Sequence, residues 1–418
     1  MSKQYTNIAL QKQASDFFDW SLFLPTMLLV AFGLISIYSA TYDSGMSVFF
    51  NRQLIYAFVG TGLMLGIMFL PERLLYMNAF PVYFASIALL ILVFPLGKDV
   101  YGTRGWIDIG IMTLQPSEFA KFTCLLMLAN HLSKKGTDIR TWRDLAISGT
   151  IILIPAVLIL LEPDTGSASV LIALTLGILL WSGFDIFTLF FVVSAPVMII
   201  ASLLSFTHYI VASVLFAISA FFFRKNIVFT VLAIVVIAAL GYSSPKIVEK
   251  LAPHQQARIH TFINPEDDPR GKGYNVIQSV MAVGSGGFVG KGYLQGTQTQ
   301  LRYIPKQWTD FIFCVPTEEF GFLGGASVIL LLAWLIYRCI VVANKVASPF
   351  LSLLSIGVAT IFIYHTLINI GMAIGLMPVM GIPLPFMSAG GSSLIVNMAL
   401  VGLVLNAYRS HQKKIYEN

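Results

Sequence analysis

Residues 263–279 read INPEDDPRGKGYNVIQS and place three carboxylates, Glu266, Asp267 and Asp268, side by side in a chain that is only 11% charged. Asp268 precedes Pro269, which biases its backbone toward an extended conformation. Gly271 and Gly273 let the chain turn sharply just beyond. A carboxylate fixed on such a turn suits a general base, because position has to be right before basicity counts. A solvated acidic turn has the same sequence, so the triplet alone leaves both readings open.

Other stretches could carry chemistry with it. In RGWIDIGIMTLQPSEFAK, residues 104–121, Pro116 fits the first turn of a helix and Ser117 or Gln115 can cap it. Glu118 and Lys121 are then three apart on one face, and ionisable residues in an apolar span face a cavity or a partner. A structural ion pair is the alternative. In EPDTGS, residues 162–167, Asp164 stands where a helix N-cap would be, and capping is its expected role. The run GSGGFVGKG, residues 284–292, could approach a pyrophosphate beside Lys291, although close packing explains its glycines better. No strand precedes it, so it is no dinucleotide-binding motif. Glu318 and Glu319 are expected to enter a span, and NIGMAIGLMPVMGIPLPFMSAGGSS, residues 369–393, forms a polar mouth. There Ser388, Gly390, Gly391 and Ser392 can offer donors at a helix start, which favours anions.

These residues need a scaffold. The chain has 418 residues, 57% of them hydrophobic, and a mean hydropathy of +0.80. A soluble protein would carry about 25% charged residues. Apolar runs of about 20 residues instead predict an all-α polytopic membrane protein. Twelve spans are expected, near 20–40, 52–70, 75–97, 116–133, 144–162, 165–183, 185–205, 207–223, 227–243, 311–337, 348–376 and 390–408. With a cytoplasmic N-terminus, fourteen of the 26 basic residues fall inside, and short outer loops hold only Arg52, Lys98 and Arg104. The net charge of +6 is thus read as a topology signal rather than a nucleic-acid footprint.

A single membrane domain over 1–418 is expected, with a cytoplasmic segment at 1–19, a large outer loop at 244–309 between the ninth and tenth spans, and a cytoplasmic tail at 409–418. The loop should carry a short helix around 274–284. No cleavable signal peptide is apparent, and Cys124, Cys314 and Cys339 lack disulfide or metal spacing, so they are expected to pack.

Taken together, the stretches resemble the SEDS family (shape, elongation, division and sporulation) of bacterial peptidoglycan glycosyltransferases. The run from Asn369 through Pro378, Gly381 and Ser388 to Ser393 is similar to the family signature, as are RGWIDIG, QPSEFAK and the loop NPEDDPRGKGYNVIQS followed by GTQTQLRYIPKQWTDFIF. GTQTQL is closest to the rod-elongation branch, whose role is cell elongation and cell-shape maintenance. The resemblance implies polymerisation of lipid II into glycan strands in the bacterial cytoplasmic (inner) membrane, with undecaprenyl pyrophosphate released. It implies Asp268 as the catalytic base. Arg52, Arg104, Gln115, Glu118, Lys121, Lys272, Lys291 and Ser388 are the expected substrate-binding residues. A divalent cation, Mg or Mn, is implied by the resemblance and not by the sequence, and a class B penicillin-binding transpeptidase is the implied protein partner. Membrane lipids surround the bundle.

The sequence also departs from the family. Nine spans precede the loop where the branch commonly has seven, so a ten-helix core is expected to carry an extra pair within 185–243, unless that stretch is one long bent helix. Trp308 stands for a usual histidine, Ala389 for a frequent tyrosine, and EPDTGS for the commoner QPDLGT. The rival functions are a flippase for lipid-linked precursors, which would place polar residues at the bilayer midplane, and a scaffold whose loop only docks partners.

Overall fold

The computed structural model describes residues 17–42, 47–100, 103–108, 110, 113–222, 227–250, 256, 272–305 and 307–417. The fold is mostly helical, and its described residues form two compact units, 1–178 with 278–418, and 179–277.

In the larger unit, α1 (Trp20–Thr41), α2 (Ser47–Phe69) and α3 (Glu72–Leu96) lead into three short strands, β1 (Lys98–Val100), β2 (Thr103–Asp108) and β3 (Thr113–Leu114). Helices α4 (Pro116–Leu132), α5 (Trp142–Leu161) and α6 (Thr165–Trp181) follow. The strands are antiparallel in the order β1-β2-β3, pairing Lys98 with Trp106 and Ile107 with Leu114. This small sheet qualifies the all-α expectation. The segment RGWID was too short and too mixed to register as a strand.

The smaller unit holds α7 (Ile186–Leu204), α8 (Phe206–Phe222) and α9 (Ile227–Val248). Met198, Tyr209, Phe216 and Ile237 form its core, and the Tyr209 hydroxyl donates to the Ala238 carbonyl at 3.0 Å. Stretch 185–243 is therefore not one long bent helix. Ser205 takes extended backbone between α7 and α8, and its hydroxyl accepts the His208 amide at 3.3 Å, which starts the next helix.

Beyond it, α10 (Lys272–Ser285) matches the short helix expected at 274–284, and two one-turn helices follow, α11 (Thr297–Gln300) and α12 (Cys314–Glu319). The last three helices are α13 (Gly321–Lys345), α14 (Pro349–Ala373) and α15 (Gly391–Glu417). The span expected at 311–337 begins only at Gly321, so Glu318 and Glu319 precede it rather than enter it. Gly321 has a φ of +65°, which ends α12 and re-aims the chain.

Among the described residues, eight helices are long and apolar enough to cross a membrane, while α6 and α8 are shorter apolar helices. A helix of 17 residues reaches only about 26 Å, short of a hydrocarbon core of about 30 Å. The twelve expected spans thus mark apolar helices, not twelve established crossings.

Helix α15 is central, with 89% of its most apolar window buried against 28% for α3. It packs on α2 so closely that a Cβ on Gly402 would lie 2.7 Å from the Met64 carbonyl oxygen. Small residues permit such approach where lipid, not water, surrounds a bundle. One turn further, Asn406 Nδ2 reaches the carbonyls of Ile67, Met68 and Leu70 at 3.0, 3.1 and 2.6 Å. Those carbonyls lie at the end of α2 and just beyond it, where the helix supplies few amides. Ile67 also accepts the Leu70 amide at 3.1 Å, and Met68 the Arg409 guanidinium at 3.4 Å. Replacing Asn406 by Leu is expected to destabilise the protein by about 1–3 kcal/mol, the cost of leaving such groups unpaired. Thermal unfolding in detergent checks it; an unchanged melting temperature would show that water satisfies the α2 end.

Candidate functional site

The polar residues collect where α4 and α15 begin. Gln115 occupies the N-cap position of α4, yet neither it nor Ser117 caps the helix as expected. The backbone amide of Gln115 donates to Ser392 Oγ at 3.1 Å, and that hydroxyl donates to the Thr113 carbonyl at 3.1 Å. The start of α15 thus takes over the cap. Gln115 Nε2 and Ser117 Oγ turn instead to Asp164 Oδ2, at 3.3 and 3.4 Å. Asp164 Oδ1 accepts the Ser167 amide at 2.9 Å, the expected N-cap of α6.

Glu118 and Lys121 meet as expected from their spacing, Lys121 Nζ to Glu118 Oε1 at 2.7 Å, with side chains each 3% exposed. They face protein, not lipid. Lys121 Nζ also lies 3.4 Å from His365 Nε2. Breaking such a buried pair costs about 3–5 kcal/mol, because it strands a charge in apolar surroundings.

The mouth between α14 and α15 is tied by side chains on two helices and one in the loop itself. Asn369 Nδ2 donates to the carbonyls of Asp310 and Ile382, both at 2.8 Å. Gln53 of α2 donates to the Ser388 carbonyl at 3.2 Å and accepts the Gly390 amide at 3.1 Å. The Ser388 hydroxyl accepts the Leu384 amide at 2.8 Å, so it holds the loop. Two of the residues at which the sequence departs from that resemblance touch each other: the Ala389 amide donates to the Trp308 carbonyl at 2.8 Å.

A second knot surrounds Glu318 and Glu319. Glu318 Oε1 accepts from Lys291 Nζ at 2.7 Å and from the Gln298 amide at 2.8 Å. Its Oε2 accepts the Thr299 amide at 2.9 Å and the Thr299 hydroxyl at 2.8 Å. Burial raises its pKa, but Lys291 and these donors together outweigh burial and hold the carboxyl below its ordinary value. Glu319, hydrogen-bonded to Ser39, shifts upward, by burial first and the charge of Glu318 after it. Lys291 also donates to Thr297 Oγ1 at 2.7 Å. The glycine run packs directly on this knot, its Gly290 (φ +88°) too close to Glu319 to admit a Cβ. Packing accounts for Gly286 and Gly290, whereas a Cβ on Gly284 or Gly287 would meet nothing within 4 Å.

Arg52 is exposed beside Gln53. It is close enough to Asp108 to help hold that carboxyl below its ordinary value, after Lys98 and the Gly110 amide. The side chains of Arg104, at the start of β2, and of Lys272, at the start of α10, lie outside the described part. So does the triplet Glu266, Asp267 and Asp268. Among the described residues no group of three or more His, Cys, Asp or Glu could hold a metal ion. All three cysteines are free and buried.

Sequence reasoning passed over four residues: Gln53, Glu162, His365 and Asn369. For His365 a signal existed, an ionisable residue within an apolar run. Glu162, just beyond α5, is 1% exposed. Neither of its carboxyl oxygens has a hydrogen-bond partner among the described residues, and a Cβ on Gly105 would lie 3.3 Å from Oε2. Burial, and then the charge of Asp164, raise its pKa from 4.5 to about 8.

A bundle of apolar helices with a buried ion pair and tied loops at the start of α4 and α15 defines a multi-pass membrane protein. The family model described as "Cell cycle protein", for FtsW, RodA and SpoVE, matches residues 19–221 and 205–413, and the chain belongs to that family. It is 33% identical to the peptidoglycan glycosyltransferase RodA of Treponema pallidum, across 93% of this chain and 97% of that one. It is 32% identical to the peptidoglycan glycosyltransferase MrdB of Escherichia coli, across 94% of each. Among solved structures, a chain from work on polymerization and crosslinking by a peptidoglycan synthase complex matches with a TM-score of 0.70 at 31% identity, covering 94% of this chain and 98% of that one. The rod shape determining protein RodA of Thermus thermophilus matches at 0.62 and 26%, covering 94% and 97%.

Glu162 supplies a pH test. Between about 4.5 and about 8 the folded chain keeps a proton that the unfolded chain releases. The folded state then binds more protons, so stability falls as pH rises through that window and levels off above it. Glu162→Gln removes the titration. Its melting temperature relative to wild type is expected to be higher at about pH 8.5 than at about pH 5. An equal difference at both pH values would show that Glu162 does not hold the proton.

Proposed function

We infer that this chain is a peptidoglycan glycosyltransferase of the elongation type, which polymerises lipid II into glycan strands. The observation that carries the reading is the end-to-end match to a peptidoglycan glycosyltransferase RodA, 33% identical over 93% of the chain. Asp268 accepts the proton of an acceptor sugar hydroxyl as that oxygen attacks the donor's anomeric carbon. A glycosidic bond forms, the bond from that carbon to the diphosphate breaks, and undecaprenyl pyrophosphate leaves. The polyprenyl tail remains in lipid while the sugars lie outside, which suits a site at the ends of the helices.

Arg52, Arg104, Lys121 and Lys272 are the proposed cationic contacts for substrate, with Gln115 and Glu118 lining the pocket. Ser388 supports it through the loop. Lys291 contributes from its bond with Glu318. Glu118 and Glu318 face lysines, and Asp164 is held by Ser167, Gln115 and Ser117, so these three acids do not fit a divalent cation. A Mg or Mn site belongs to the proposal only through Glu266, Asp267 and Asp268, and no step depends on it. The partner proposed is a class B penicillin-binding transpeptidase, supported by the likeness to a chain of a peptidoglycan synthase complex. The proposed location is the cytoplasmic membrane, both termini inside, supported by the fourteen basic residues that this orientation places there.

The alternative is a flippase, because transporters gather polar groups near the midplane and His365 lies about 6 Å from the middle of the 25-residue helix α14 and about 12 Å from its end.

The test is Asp268→Asn in purified protein supplied with lipid II. Polymer formation is expected to fall by about 10²–10⁴ in rate, the usual contribution of a positioned base. Glycan chains made at wild-type rate by a folded variant would remove Asp268 from the mechanism. Lipid II moved across a vesicle bilayer without polymer would favour the flippase.

A further inference from the structure

His365 is fully buried in α14 and touches two elements at once. Its Nδ1 lies 3.0 Å from the Pro383 carbonyl oxygen. That oxygen can only accept, so Nδ1 carries the ring proton. The neutral ring has one such proton, which leaves Nε2 with a lone pair directed at Lys121 Nζ, 3.4 Å away. A doubly protonated ring would set a second cation against that ammonium. The imidazole is therefore held as one tautomer, donor toward the loop and acceptor toward Lys121.

We propose that His365 is a positioning residue for the glycosyl transfer: it aims the Lys121 ammonium by accepting one of its hydrogens and fixes that aim to the loop through Pro383. The inference uses the glycosyltransferase reading for its assay. Lys121 has three donors on a flexible four-carbon stem and no preferred direction of its own. Glu118 Oε1 takes one donor at 2.7 Å and His365 takes a second. The third hydrogen and Glu118 Oε2, which has no hydrogen-bond partner among the described residues, are left as a donor and an acceptor on one buried pair. The direction of that donor follows from the His365 contact. The loop's path does not, because Asn369, one turn along α14, separately holds the Ile382 carbonyl at 2.8 Å.

The experiment compares His365→Gln, His365→Leu, Lys121→Ala and the double variant His365→Leu with Lys121→Ala, in full-length protein with lipid II. Glutamine offers a donor and an acceptor at one end, as this tautomer does. It is expected to keep kcat/KM within roughly threefold of wild type with the same pH profile, whereas leucine lowers kcat/KM by roughly tenfold or more. The double variant is expected to be no slower than Lys121→Ala alone, since both changes remove one contact. Additive losses, wild-type rates in the leucine variant, or a glutamine variant as slow as leucine would each overturn the proposal. A wild-type protein that makes no polymer at all fails the glycosyltransferase reading instead. The cycle is then scored on thermal unfolding, where coupling between positions 365 and 121 is expected and its absence overturns the positioning role.

Discussion

An ammonium and a carboxylate 2.7 Å apart inside an apolar bundle set the terms for everything around them. Each alone would cost several kcal/mol to bury, so neither is tolerated without the other. Their i,i+3 spacing brings them together only if the first turns of α4 form. Those turns lack a side-chain cap, and the missing bond comes from Ser392 at the start of α15. The same hydroxyl reaches on to Thr113 in β3. The buried pair therefore depends on strand, helix start and helix start being assembled together, and local sequence alone cannot satisfy it.

The loops obey the same rule. A buried backbone amide or carbonyl needs a partner, and long connections expose many of them. Glu318 gathers two backbone amides, two hydroxyls and a lysine around one carboxylate. Gln53 and Asn369 perform the neutral version: Gln53 bridges the Ser388 carbonyl and Gly390 amide of one loop, and Asn369 joins the carbonyls of Asp310 and Ile382, far apart in sequence. Irregular backbone persists in a membrane bundle where protein encloses it in this way.

How legible this was in sequence depended on range. Helical runs, the Glu118–Lys121 pair and the Asp164 cap all follow from residues within a few positions of one another. The segment 185–243 was ambiguous because apolar periodicity does not report a break. Ser205 and its hydroxyl make that break with two hydrogen bonds. The late start of α13 rests on one left-handed glycine among several candidates. His365, Gln53 and Asn369 escaped notice because their partners lie on other helices or on backbone, where no sequence spacing encodes them. Asp268, the residue on which the chemistry is proposed to turn, lies outside the described residues, so its role rests on the loop's resemblance rather than on geometry.

Charge balance adds a last constraint on the proposed reaction. Lys121 faces Glu118 and Lys291 faces Glu318, so each of these pairs is close to neutral. A departing diphosphate needs more positive potential than such pairs supply alone. The starts of α4 and α15 can, since each carries about half a positive charge from its aligned peptide dipoles. They converge through the Gln115–Ser392 hydrogen bond. Two helix starts fixed on one hydroxyl provide a potential that does not have to reorganise as the leaving group develops charge. Mobile cations need then supply only the remainder, which explains why the lysines nearest the mouth can be committed to carboxylates without emptying the site of positive field.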